Sequence, residues 1–190
     1  VQTLDYSAAA IAPQIDRSLQ RLQTDYIDIM QLHSPSYDDL VHGDGIDGLK
    51  RAQEQGKIRF ISLSADDDAA IRAVEMGAFD TLQLSYNVLD QGPAQIIDAA
   101  RAKDMGIIIK NPIANAIYEA PRPSGDTGLW DLAQERLATA VIGDLPRVEA
   151  SLRWLYNNPE VHTAIVGTTN IDHLRDNLAG ARRGPLAQGV

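Results

Sequence analysis

The sequence contains no cysteine. Disulfide bonds, thiolate metal sites and cysteine nucleophiles are thereby excluded, and the composition suits a reducing compartment such as the cytoplasm. No apolar run approaches the roughly 18 residues of a membrane span. Cations are in deficit: 17 Lys and Arg stand against 26 Asp and Glu, for a net charge of -9, and apart from Arg182-Arg183 they are dispersed. Nonspecific contact with nucleic acid or anionic lipid is disfavoured, because phosphate backbones reward clustered basic residues. The Gly-x-Gly-x-x-Gly fingerprint of doubly wound dinucleotide-binding folds is missing. So is any metal cluster, since His42 and His162 have no companion at ligand spacing. Neither a linker nor a low-complexity tract interrupts the 190 residues, which suit one domain over 1–190.

What the chain does have is an alternation of helices and strands. Ile11, Ile15, Leu19 and Leu22 recur at helical spacing behind the capping residue Ser7, which predicts a helix over 8–22. An apolar strand over 26–32 follows. The Asp-rich segment 38–47 leads to a helix over 46–55 closed by Gly56, a strand over 58–63, and a helix from Asp66 to 76 closed by Gly77. Strands over 81–86 and 107–110 flank a helix over 93–104. Repetition at roughly 25 residues implies parallel strands joined by right-handed crossovers, because parallel neighbours cannot be connected by a tight turn. Residues 118–144, punctuated by Pro121, Pro123, Gly125 and Gly128, break this rhythm as a long loop of the kind that usually carries function. A helix over 146–156, a strand over 163–166 and a helix over 171–179 bring the total to roughly five strands, where a complete (β/α)8 barrel takes roughly 200 to 250 residues and eight strands.

Several blocks carry chemistry. Ser18-Leu-Gln-Arg-Leu-Gln-Thr-Asp-Tyr-Ile-Asp-Ile-Met-Gln-Leu-His33 runs a helix end into a strand that delivers a histidine at its C-terminal tip, the end at which barrel enzymes keep their active sites. Gly56-Lys-Ile-Arg-Phe-Ile-Ser-Leu-Ser64, Gln83-Leu-Ser-Tyr-Asn87 and Ile165-Val-Gly-Thr-Thr-Asn170 follow in order. Gly167-Thr168-Thr169-Asn170 before a helix is an anion-site pattern in its own right: a small residue lets backbone N–H groups and hydroxyls approach a phosphate at a helix N-terminus. Taken together, these blocks resemble the aldo-keto reductases, a barrel family that reduces carbonyls with NADPH.

The resemblance implies an α/β fold, a partial TIM (β/α)8 barrel of roughly strands 4 to 8 with their helices. It places His33 as the catalytic residue present here, donating a hydrogen bond to the substrate carbonyl. Ser64 and Gln83 would hold the nicotinamide carboxamide, although Ala65 replaces the family's Asn beside Ser64. Lys110, with Asn111, occupies the place where many members carry a ring-stacking aromatic, and would instead face the pyrophosphate as a point charge. Gly167 and Thr168 would hold the adenosine phosphate, and Asp176 and Asn177 match the adenine-recognising pair. His173 stands where the family often has Arg, and would grip a 2'-phosphate less firmly. The implied cofactor is NADP(H), with NAD(H) left open, and the implied partner is a small-molecule carbonyl substrate.

In the family an aspartate, a proton-donating tyrosine and a lysine precede the signature, and the resemblance finds none of the three in this chain. Tyr6, the only tyrosine ahead of the signature, lies just before a helix start and is a poor stand-in. The expectation is an N-terminally truncated enzyme, inactive as this fragment, with open sheet edges available for association. Two other readings stay open: a noncatalytic NADP(H)-binding or regulatory barrel piece, and a barrel enzyme acting on a phosphorylated metabolite through the Gly167 turn.

Overall fold

The computed structural model describes residues 5–119, 121–125, 127–139 and 145–186, and leaves the side chains at 118 and 137–139 undescribed. In chain order the elements are α1 (Ala8–Leu22), β1 (Ile27–His33), α2 (Tyr37–His42), α3 (Gly45–Glu54), β2 (Ile58–Ser64), α4 (Asp67–Met76), β3 (Thr81–Ser85), α5 (Ala94–Arg101), β4 (Gly106–Lys110), a 3-10 segment (Ala114–Glu119), α6 (Gly128–Thr139), α7 (Arg147–Leu155), β5 (Thr163–Ala164) and α8 (Ile171–Arg182). They gather into two compact units, Val1–Leu84 with Gln95–Ile107 and Ser85–Ala94 with Ile108–Val190.

In the first unit β1, β2 and β3 pair in parallel, in chain order. The register aligns Gln31 with Ser62 and Thr81, then Leu32 with Leu63 and Leu82, then His33 with Ser64 and Gln83. Because side chains alternate across a strand, these rows divide the sheet into a polar face and an apolar one. The apolar residues Leu32, Ile61, Leu63, Leu82 and Leu84 are buried, as are Ile11 and Ile15 of α1 and Leu49 of α3. Helices α1 and α3 approach closely at two glycines. A Cβ on Gly48 would lie 2.8 Å from Ala8 Cα, and one on Gly45 only 2.4 Å from the Tyr6 carbonyl oxygen.

The expected helices are present, with Ser7 capping α1 through a hydrogen bond from Ala10 N and Gly77 closing α4 at φ 61°. The Asp-rich segment is more ordered than its composition suggested. Ser36 accepts from Asp39 N while Asp39 reaches back to the Ser36 backbone, a capping box that starts α2.

In the second unit β4 and β5 pair in parallel, Ile108 with Thr163 and Ile109 with Ala164, so the last strand is shorter than the expected 163–166. The segment read as a loop contains α6. Ala133 on that helix is fully buried and packs into a core with Val88 and Leu89, against Ile117, Val148 and Trp154. The Trp154 ring lies 5.2 Å from that of Tyr86, at 38° between planes. Residues 120, 126 and 140–144 of that segment lie outside the described residues.

Candidate functional site

Chemistry-bearing residues collect in each unit. In the first, β1 and β2 end at His33 and Ser64, which share a row with Gln83 in the middle of β3 rather than at the strand end expected for it. Gln83 Nε2 donates to Ser64 Oγ at 2.8 Å, and Gln31 Nε2 reaches Gln83 Oε1 at 3.5 Å and Ser62 Oγ at 3.2 Å. Thr81 Oγ1 donates to Ser62 Oγ at 2.6 Å. Ser62 and Ser64 are fully buried and Gln83 nearly so, so this polar face satisfies itself side chain to side chain, as buried polar groups must. His33, by contrast, is exposed.

Tyr6 returns here in a role its sequence position did not suggest. Its hydroxyl donates to the backbone carbonyl of His33, tying the start of the described chain to the tip of β1. Burial first, and the charge of Asp39 second, raise the Tyr6 pKa. A shift in this direction makes a phenol a weaker proton donor.

In the second unit a cavity of about 950 Å³ is lined by Asn111, Gly167, Thr168, His173, Asp176 and Asn177 among others. These six are all but one of the expected cofactor residues of this unit; Lys110, next to Asn111 at the end of β4, is not in the lining. Asn111 adopts φ 53°, a left-handed conformation that asparagine tolerates. It is anchored from both ends, its Nδ2 donating to Ser85 Oγ and its carbonyl accepting from Asn87 Nδ2, each at 3.1 Å. Thr168 Oγ1 accepts from Asn170 N at 3.1 Å, and Asn170 caps α8 by accepting from Asp172 N. A Cβ on Gly167 would meet nothing within 4 Å, so the protein itself does not require glycine there. The 3-10 wall of the cavity is unusual, with Ala114, Asn115 and Ala116 at φ 46°, 53° and 53°. Left-handed backbone of this kind in non-glycine residues stores strain and clusters at functional sites.

Sequence reasoning missed the ionic part of this cavity. Glu149 of α7 lines it and is buried, with Arg183 on one carboxylate oxygen and Arg153 Nη1 on the other at 3.3 Å. The Arg183 guanidinium holds the Glu149 carboxyl below the usual carboxylate range against the opposing effect of burial, and Arg153 adds to it. Arg153 is fixed in turn by the carbonyls of Gly184 and Pro185, at 3.0 and 3.2 Å. Only the arrangement of α7 against α8 marks Glu149 as special; in sequence it is one charge on an ordinary amphipathic helix. No cluster of metal-binding side chains occurs, and no helix is long and apolar enough to cross a membrane, among the described residues.

A family model described as the Aldo/keto reductase family matches residues 2–188. Among curated proteins the chain is similar to the uncharacterized oxidoreductase YqkF of Bacillus subtilis (strain 168), 27% identical over 194 residues, covering 94% of this chain and 63% of that protein. It is also similar to L-galactose dehydrogenase of Arabidopsis thaliana, 24% identical over 191 residues, covering 92% of this chain and 59% of that one. Among solved structures, the holo form of aldo-keto reductase AKR11C1 from Bacillus halodurans matches with a TM-score of 0.85 at 26% identity, over 98% of this chain and 66% of that one. The chain therefore spans less than two thirds of the length of each of these proteins. Parallel strands alternating with helices, and this likeness along nearly all of its length, make the fold a partial (β/α)8 barrel, and the chain belongs to the aldo/keto reductase family of oxidoreductases.

Proposed function

We propose that this chain is the nucleotide-binding rear portion of an enzyme that reduces an aldehyde or ketone to an alcohol with a reduced nicotinamide dinucleotide. The observation that carries the reading is the cavity of the second unit. Residues singled out from the sequence as cofactor contacts, scattered from Asn111 to Asn177, line one hollow of a size that takes a nucleotide. Its chemistry fits a phosphate as well. Gly167 leaves open space for close backbone approach, and the Asn170-capped start of α8 offers N–H groups at the positive end of a helix.

The bound dinucleotide supplies a hydride to the carbonyl carbon. Residues of this chain bind and orient. Thr168 and the α8 N-terminus hold phosphate, and Asn177 and Asp176 meet the adenosine. Ser64 and Gln83, which bond to each other at 2.8 Å, would turn a remaining hydroxyl and amide donor to the nicotinamide carboxamide. The exposed imidazole of His33 donates to the carbonyl oxygen and stabilises the charge that develops on it. The resemblance assigns the proton to a tyrosine N-terminal to the signature, and the Tyr6 hydroxyl is instead engaged with the His33 carbonyl. On this reading the chain needs that upstream tyrosine for turnover, works in the cytoplasm, and can associate through β1, which among the described strands pairs with β2 alone.

Titrating the purified chain with NADPH and NADH, reading nucleotide fluorescence, tests the binding half of the proposal. Saturable binding is expected. Carbonyl-dependent oxidation of the nucleotide is expected once an upstream segment bearing the family's aspartate, tyrosine and lysine is joined to the chain. Binding without turnover in that longer protein would favour the noncatalytic, regulatory reading instead, and binding of phosphate esters alone would favour the phosphorylated-metabolite reading.

A further inference from the structure

The cavity of the second unit holds more negative than positive charge. Glu119, Glu149 and Asp176 line it against a single permanent cation, Arg183, with His173 the only other basic side chain in the described lining. We infer that this cavity selects a dinucleotide whose adenosine ribose keeps a free 2'-hydroxyl, NAD(H), over the 2'-phosphorylated NADP(H). The inference rests on reading the cavity as the adenosine end of the cofactor site, as proposed above.

A phosphate monoester brings about 1.5 to 2 negative charges near neutral pH, so a site that accepts one needs uncommitted cations. Arg183 already balances Glu149, through its Nη1. It holds one oxygen of Glu149, whose side chain is only 10% exposed, while Arg153 holds the other. Drawing Arg183 towards a phosphate would leave a buried carboxylate with half its compensation, a costly state. Arg153 is held in place beside Glu149 by the Gly184 and Pro185 carbonyls, which accept from its Nε and Nη2, and it is absent from the described lining. On α8 itself, Arg175 pairs with Asp172 at 2.9 Å and is absent from the cavity wall.

That leaves His173, which presents a single ring N–H donor where a guanidinium presents a permanently charged fork. One helical turn on, Asp176 stands on the same side of α8 and also lines the cavity. A 2'-phosphate beside it meets like charge, whereas a 2'-hydroxyl can donate to it. Doubly wound folds separate the two cofactors by the same chemistry, with an acidic side chain on the ribose hydroxyl for one and an arginine for the other. Here α8 supplies the acid to the cavity, and neither of its arginines, Arg175 and Arg182, is in the described lining.

The test compares ligands that differ only at the 2'-position: AMP against adenosine 2',5'-bisphosphate, and NADH against NADPH. Each is titrated into the full chain at low ionic strength. The 2'-phosphate is expected to weaken binding about tenfold or more, with the gap narrowing as salt screens the repulsion. His173→Arg and Asp176→Asn, both at exposed positions, should each shift the ratio towards the phosphorylated ligand. Equal or tighter binding of the 2'-phosphorylated member of both pairs would overturn the inference, as would a ratio that neither substitution moves. If the AMP pair shows the preference while neither dinucleotide binds, the selectivity stands and the nicotinamide reading falls. If none of the four binds, both fall.

Discussion

Glu149 must be charged and buried at once, which Arg183 and Arg153 make possible by sharing its two oxygens. Because its folded-state pKa lies below the ordinary value of 4.5, its contribution to stability is present above that value and is lost as pH falls through the lowered one. The thermal midpoint of Glu149→Gln should therefore lie below that of the unaltered chain at neutral pH, and the gap should close as the pH falls below the ordinary carboxylate value. A gap of constant size would deny the carboxylate that role. Gly167 separates stability from binding in another way. With no atom within 4 Å of an added Cβ, Gly167→Ala should change stability by less than about 0.5 kcal/mol while weakening nucleotide binding, because the methyl group stands where the phosphate approaches. At this scale the sequence located His33 and Ser64 at the strand ends where they stand and Thr168 at the cavity ahead of α8. It was opaque for Gln31, Tyr6 and Glu149, whose partners are Gln83, the His33 carbonyl and the two arginines. Apart from Arg153, one helical turn from Glu149 on α7, those partners lie far away in sequence, so no local pattern announces them.

Helix positions followed from periodicity, since a 3.6-residue repeat of apolar side chains is a local signal, and α1 spans Ala8–Leu22 as read. Two helices escaped. Helix α2 has only six residues, too few for an apolar repeat to show, and is held by its Ser36–Asp39 capping box, while α6 follows a glycine- and proline-rich stretch and buries only Ala133 among its described side chains. What periodicity leaves out is how close two helices come. Gly45 and Gly48 read as weak points in a helix, yet they are what lets α3 press on the start of α1. Gly48→Ala should lower stability by about 1 to 3 kcal/mol, the usual cost of overpacking, despite alanine's better helix propensity. Urea unfolding measures this, and a stabilised variant would mean that the two helices are free to separate.

Over the whole molecule, the class of fold was legible because strand and helix signals repeat at one period, and the TM-score of 0.85 to a solved aldo-keto reductase agrees. The division into two compact units was not, because it depends on which segments pack together and not on any composition shift along the chain. The polar sheet face of the first unit and the cavity of the second carry the functional account between them. In a protein completed by the upstream catalytic residues, His33→Ala should lower turnover by more than about tenfold while sparing nucleotide affinity; unchanged turnover would remove His33 from the chemistry. The most direct measurement is a crystal structure of this chain bound to a nicotinamide dinucleotide. The account requires the adenosine phosphate to lie against Gly167, Thr168 and the start of α8, with Asp176 and Asn177 at the adenosine. A nucleotide seated elsewhere, with that cavity empty, would contradict it.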